Sequence, residues 1–410
     1  VPPEKKHKRH YLDYFILIPY LVLVFVGIIM VYSSTSYLQY LSNTSGDSPA
    51  ETTLKQVVFL LIAFILMAVI YKMRTRIFKK NFILVGLMCM MGLALVATRF
   101  TSLGVEVNGA KGWLVISGFS FQPAEYLKLL IVWYLATYFS KRQTLILQDF
   151  WKAAGGLLVV VFAMIGLVAI QPDLGGAAIL TLLTLLMVIS SGIGFRKALA
   201  IFMSIVALSY CALVIFVKFG QKMTFIPDYV YRRFAIFTKP FSDALDSGHQ
   251  LVNGYYAIHN GGWFGRGLGN SIQKKGFLPE AHTDFIFPIV IEELGVIVAI
   301  LLLLVLFFMI WRMYYIGFRA SDSFNSLMMI GIASLFMVQT FVNLGGVLGI
   351  IPMTGVTFPF LSQGGNSVLV LSLAVGFALN ISADERRKRE RANLPRKIVS
   401  QEDSISTFQN

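Results

Sequence analysis

Phe277 to Gly295 reads FLPEAHTDFIFPIVIEELG, and here a long, basic polar segment turns into an apolar run. The run continues to about residue 311, enough helix to cross a hydrocarbon layer ~30 Å thick. Comparable runs recur at roughly 14–33, 56–71, 82–98, 123–140, 154–170, 175–194, 198–217, 326–349 and 366–382. Those at 56–71, 82–98 and 154–170 are short for a bilayer. With 56% hydrophobic and 14% charged residues, this pattern predicts an all-α integral membrane protein of about ten transmembrane helices. The first run is too long for a signal-peptide core and lacks a small-residue cleavage site.

A net charge of +14 would suit nucleic acid, but the basic residues are not gathered on one polar module. An even number of spans with both ends on one side puts most Lys and Arg on that side: KKHKRH before the first span, 72–80, 141–152, Arg196 and Lys197, Arg312 and Arg319, and 386–397. Short-loop Lys/Arg bias marks the cytoplasm. Both termini are therefore expected inside, and the one large loop, 218–284 between spans seven and eight, outside. The expected organisation is a basic cytoplasmic N-terminus (1–13), a ten-span domain (14–382) and a basic, disordered cytoplasmic tail (383–410). Cys89 and Cys211, the only cysteines, lie in apolar runs and suggest neither a disulfide nor a metal site. No internal repeat stands out to support an inverted-repeat transporter.

Three polar segments break the helical pattern: 99–122, 218–284, and 350–365 with its Pro352, Gly355, Pro359, Gly364 and Gly365. Irregular backbone at membrane depth survives only against protein or a wet cavity, so 350–365 is expected to be a re-entrant wall. Asp284, beside Glu280 and His282, reads two ways. It is a helix N-cap before FIFPIV, or a carboxylate working on an anionic, lipid-linked substrate. Glu125 and Lys128, three apart in QPAEYLKLL, share a helix face as a structural pair or as part of a cavity. Asp173 reads as a cap, and Glu292 and Glu293, being adjacent, cannot share one face. HNGGWFGRGLGNS (His259 to Ser271) is a glycine-rich turn or a phosphate-binding nest. His249, His259 and His282 form no metal-ligand spacing.

Several long stretches carry a resemblance: Gly112-Trp113 with QPAEYLKL (to Leu129), QPDLG (Gln171 to Gly175), GHQLVNGYYAIHNGGWFGRGLGNS (Gly248 to Ser271), LPEAHTDFIF with EELG (Leu278 to Gly295), and PMTGVTFPFLSQGGNS (Pro352 to Ser367). In this order they resemble the SEDS family, membrane-embedded peptidoglycan glycosyltransferases represented by FtsW and RodA. The basic tail and the last stretch resemble the division branch. The resemblance implies that Asp284 is the essential acid of the large outer loop, that Glu125 and Lys128 support a central cavity, and that Trp113 is the conserved aromatic of the first large outer loop. Where the family has a basic residue before that Trp, this chain has Gly112, with Lys111 one earlier; the usual SYGGSS becomes SQGGNS at Ser362 to Ser367.

The activity implied is polymerisation of lipid II, a disaccharide-peptide on a polyprenyl pyrophosphate, into β-1,4-linked glycan with inversion. Asp284 would be the base. Arg232, Arg233, Lys239, Arg266 or a divalent cation (Mg or Mn) would steady the pyrophosphate. A class B penicillin-binding protein and other division membrane proteins would be partners, at the cell membrane and the septum. The rival readings are a lipid II flippase and a non-catalytic scaffold.

Overall fold

The computed structural model describes residues 11–36, 49–107, 110–116, 119–219, 237, 240–243 and 248–392. Every apolar run becomes a helix. They are α1 (Tyr14–Thr35), α2 (Pro49–Lys72), α4 (Asn81–Phe100), α5 (Pro123–Lys141), α7 (Phe150–Ile170), α8 (Leu174–Ser190), α9 (Phe195–Phe219), α11 (Ile286–Phe318), α12 (Ser323–Val347) and α13 (Gly365–Ala392). Short helices α3 (Thr75–Phe78) and α6 (Gln143–Gln148) turn the chain between spans, and α10 (His249–Gly261) lies in the large loop. Seven of the described helices are long and apolar enough to cross a membrane. Leu174–Ser190 is shorter, and Pro123–Lys141, which carries Glu125 and Lys128, is outside that set.

The helix starts follow local chemistry. Asp13, Asp149, Asp173 and Asp322 each accept a backbone N–H of the following first turn, satisfying donors a helix cannot use itself. Pro123 opens α5 at a position where its missing N–H costs nothing. The runs that look short in sequence lengthen in the fold, to 24, 20 and 21 residues for α2, α4 and α7. Polar ends such as Lys72 and Arg99 continue the backbone ladder.

Burial separates centre from rim. The apolar window of α13 is 94% buried and that of α12 83%, against 22% for α2. The central helices therefore carry polar side chains that other elements satisfy. Asn380 on α13 donates to the Ile70, Tyr71 and Met73 carbonyls at the end of α2, and the Tyr20 hydroxyl of α1 donates to Ser372 at 2.8 Å. At one end of the bundle Asp13, 0% exposed, accepts from Arg312 (2.9 Å), Arg386 (2.9 Å) and Ser382 (2.8 Å).

Two expectations are corrected. Segment 99–122 is not irregular: β1 (Gly104–Val107), β2 (Ala110–Ile116) and β3 (Phe119–Phe121) form an antiparallel sheet in that order. Its register pairs Val105 with Trp113 and Leu114 with Phe121. The tail is not disordered from residue 383, because α13 runs on to Ala392. Asp384 and Glu385 hold it there by accepting from Asn325, while Ser321 donates to Glu385 and Lys388 pairs with both acids.

Candidate functional site

The turn before α11 decides how Asp284 is to be read. The helix begins at Ile286 with Phe285 as N-cap, and no side chain caps it. The Thr283 and Phe285 N–H groups both return to the Glu280 carbonyl, at 3.3 and 3.1 Å. This tight turn advances the helix start past Asp284, so Asp284 precedes the N-cap position. The Thr283 hydroxyl lies 2.5 Å from a Glu280 carboxylate oxygen and 3.1 Å from Asp284 Oδ1. One proton therefore stands between two carboxylates. From behind, Asn343 of α12 donates to both the Asp284 carbonyl and the Val356 carbonyl at 2.7 Å, which locks the turn to the 350–365 segment.

Asp284 faces a cavity of about 620 Å³. Trp113 of β2, Gln122, Glu125 and Lys128 at the start of α5, the Pro172–Leu174 turn, Gln250 of α10, Glu280 with His282 to Asp284, and Met353 to Thr357 line it. The expected re-entrant wall is thus in place. Its backbone polar groups are met by protein: Gln339 donates to the Thr357 carbonyl at 3.1 Å, and the Ser362 hydroxyl accepts the Phe358 N–H at 2.7 Å. Asn366, just beyond, donates to the Ser120 carbonyl at 2.9 Å and pins the sheet to this wall.

Lys128 is 2% exposed and its amine donates to Glu125 at 2.6 Å. A second contact, 3.4 Å to the Gln339 side-chain oxygen, ties the pair to α12. The other carboxylate oxygen of Glu125 is buried without a partner. Burial pushes the His282 imidazole below its ordinary value, against the opposing pull of the Glu280 charge.

The adjacent glutamates of α11 do separate work, as their opposite faces require. Glu292, 0% exposed, accepts from Ser271, from the Ile272 and Gln273 N–H groups and from Asn260. Glu293 pairs with Lys274 at 2.6 Å and accepts the Ser33 hydroxyl of α1 at 2.8 Å. Just beyond, Gly295 has φ 86° and breaks the helix. The glycine-rich turn fills that break: the Arg266 and Gly267 N–H groups donate to the Glu292 and Glu293 carbonyls (2.9 and 3.0 Å), and the Val296 N–H donates to the Gly262 carbonyl at 3.0 Å. The close approach needs glycine, since a Cβ on Gly295 would sit 2.4 Å from the Trp263 carbonyl oxygen. The Arg266 and Gly267 N–H groups are thus consumed in the fold and not offered to a phosphate.

The structure therefore brings Asp284, Glu125, Lys128 and Trp113 to one cavity. Lys111 is not in its lining; its amine donates outward to the Thr101 carbonyl at 3.1 Å. Arg266 is exposed and also outside the lining. Arg232, Arg233 and Lys239 lie outside the described residues. Among the described residues no group of three or more His, Cys, Asp or Glu side chains could hold a metal ion. Asp173 caps α8 as expected and also lines the cavity. Sequence reasoning passed over Gln339 and Asn343. Their signal was two amides, four apart, in the otherwise apolar FMVQTFVNLGG (Phe336 to Gly346).

A family model described as "Cell cycle protein", for FtsW, RodA and SpoVE, matches residues 14–387. The probable peptidoglycan glycosyltransferase FtsW of Lactococcus lactis is 46% identical, with 98% of this chain and 99% of that protein covered. The Bacillus subtilis protein of the same name is 36% identical over 94% of this chain and 95% of its own length. Among solved structures, one from a study of a peptidoglycan synthase complex superposes with TM-score 0.70 at 24% identity, covering 91% of this chain and 98% of the other. The rod shape determining protein RodA of Thermus thermophilus gives 0.62 at 23%, covering 91% and 97%. By length matched and by relatives, this chain belongs to the FtsW, RodA and SpoVE family of cell cycle proteins.

Proposed function

We propose that this protein is a peptidoglycan glycosyltransferase that polymerises lipid II at the outer face of the cytoplasmic membrane, serving septal wall synthesis. The observation that carries the proposal is Asp284: a carboxylate just before the helix start, at the wall of a membrane-domain cavity that also holds Trp113 and the Glu125–Lys128 pair. Asp284 takes the proton of the acceptor sugar hydroxyl. The oxygen attacks the anomeric carbon of the donor from the face opposite its pyrophosphate, and the C–O bond to pyrophosphate breaks with inversion. Pyrophosphate leaves readily, so no acid partner is required, unlike a glycosidase. Lys128 is neutralised by Glu125, so the pair orders the cavity rather than supplying net positive charge. The basic residues Arg232, Arg233, Lys239 and Arg266 of the large loop are the candidates for meeting the leaving group. No step is routed through a metal.

The Lys and Arg distribution supports cytoplasmic termini and an outward large loop. A class B penicillin-binding protein is the proposed partner, together with other division membrane proteins, and the septum the proposed location. The test is purified protein with labelled lipid II, alone and with its cognate class B penicillin-binding protein. Glycan in either mixture that disappears with Asp284→Asn supports the reading. Movement of lipid II between leaflets without polymer, dependent on Glu125 and Lys128, would favour a flippase.

A further inference from the structure

Among the buried polar atoms that the fold leaves unpaired, two lie side by side on the wall next to Asp284. His282 and Gln363 both line the cavity, and the Gln363 N–H donates to the His282 carbonyl at 2.8 Å. That bond joins the turn carrying Asp284 to the far end of the 350–365 wall. His282 Nδ1 and Gln363 Oε1 are nevertheless buried without a hydrogen-bond partner. Buried polar atoms in native proteins are almost always paired, and leaving one unpaired is costly. Neighbouring donors on this wall are paired, as Gln339, Asn343 and Ser362 show. Other buried polar atoms around the cavity also lack partners, Glu125 Oε2, Gln250 Nε2 and Asn343 Oδ1 among them; His282 and Gln363 are the two that a backbone bond joins beside the candidate base. Gln363 is also the position at which this chain departs from the family's tyrosine.

Gln363 Oε1 is an acceptor, and His282 Nδ1 is one in the tautomer that carries its proton on Nε2. A glutamine oxygen accepts two hydrogen bonds. The terminal torsion of glutamine is broad, so a small rotation turns Oε1 to the cavity without moving the backbone. The matching ligand is a group dense in O–H donors. A sugar that attacks through its C4 hydroxyl carries a hydroxyl at C3 and another on C6, flanking the reacting one. Asp284 can take the reacting proton, but the two flanking donors need acceptors of their own.

We infer that Gln363 and His282 are positioning residues for the acceptor sugar, each accepting a hydrogen bond from a hydroxyl that flanks the one Asp284 deprotonates. The inference rests on the glycosyltransferase reading. Holding the flanking hydroxyls fixes the attacking oxygen in line with the anomeric carbon, where small misplacements are expensive.

The experiment compares polymerisation of lipid II with lipid II analogues lacking the C3 or the C6 hydroxyl on the sugar that bears the attacking hydroxyl. Gln363→Met removes the acceptor at similar length, and Gln363→Glu keeps an acceptor oxygen. Wild-type protein should lose a few-fold to about tenfold in kcat/KM with one of the analogues, the worth of one hydrogen bond. Gln363→Met should show a similar loss with natural lipid II and no further loss with that analogue, whereas Gln363→Glu should remain sensitive to it. Losses that multiply in Gln363→Met, or a wild type indifferent to both analogues, would overturn the assignment. Should Gln363→Met melt well below wild type, Gln363→Leu takes its place in the same comparison. A wild type that makes no polymer from natural lipid II would instead remove the function on which the inference rests.

Discussion

Replacing Asp284 by Asn separates chemistry from architecture at this site. Were Asp284 the cap of α11, losing its best acceptor geometry would cost part of the ~0.5–2 kcal/mol a cap contributes. The N-cap position is Phe285 rather than Asp284, and Phe285 makes no side-chain bond. The Asn343 bond goes to the Asp284 backbone carbonyl and survives the change. The Thr283 hydroxyl, 3.1 Å from Oδ1, can donate to the asparagine carbonyl. The expected stability change is therefore within about 0.5 kcal/mol. Proton abstraction is lost, and general-base help is worth about 10²–10⁴-fold, or roughly 3–5 kcal/mol of barrier. The assay pairs melting in detergent with polymerisation of labelled lipid II. An unchanged melting temperature with near-complete loss of polymer supports the base. Near wild-type polymerisation would refute it, and a drop in melting temperature matched by a parallel loss of polymer would make Asp284 structural after all.

The remaining expectations concern the scaffold. Glu125→Gln and Lys128→Met should each destabilise more than the double variant, because a lone buried charge costs more than a removed pair; strictly additive melting shifts would deny the coupling that the 2.6 Å contact implies. The fully buried Lys274–Glu293 pair, also 2.6 Å apart, should behave the same way, with single losses of about 3–5 kcal/mol. Gly295→Ala meets both a φ of 86° and a carbonyl oxygen 2.4 Å from the new Cβ, so it should cost upward of about 1 kcal/mol and raise proteolysis of the glycine-rich turn; wild-type resistance would contradict the docked break. Ser247→Cys, in a background lacking Cys89 and Cys211, should label in intact cells. Labelling only after permeabilisation would invert the proposed topology.

Hydropathy and local caps made the helices legible. A run of apolar residues long enough for a bilayer needs no tertiary partner to be recognised, and each of the ten runs is helical. The Asp and Pro starts of α1, α5, α7, α8 and α12 follow from the same local rule, and so does the Glu125–Lys128 pair, since three residues is the spacing at which helical side chains meet. The outer sheet was harder to see. Its strands are four, seven and three residues long, too short for alternation to stand out beside glycine.

The site divided along the same line. Sequence by itself determined which residues could be chemical and that 350–365 had to be walled in by protein. It could not decide whether Asp284 was a cap, because the answer lay in a turn closed on the Glu280 carbonyl that moved the helix start past Asp284. Nor could it tell a nest from a plug at Gly262 to Gly267, since glycine permits either and only the broken backbone at Gly295 consumes the N–H groups. Gln339 and Asn343 became part of the site when α12 was placed at the centre of the bundle. Covalent spacing reaches a turn or two along a helix. What lies across a cavity is decided by which helices pack around it, and that information is carried by the whole fold.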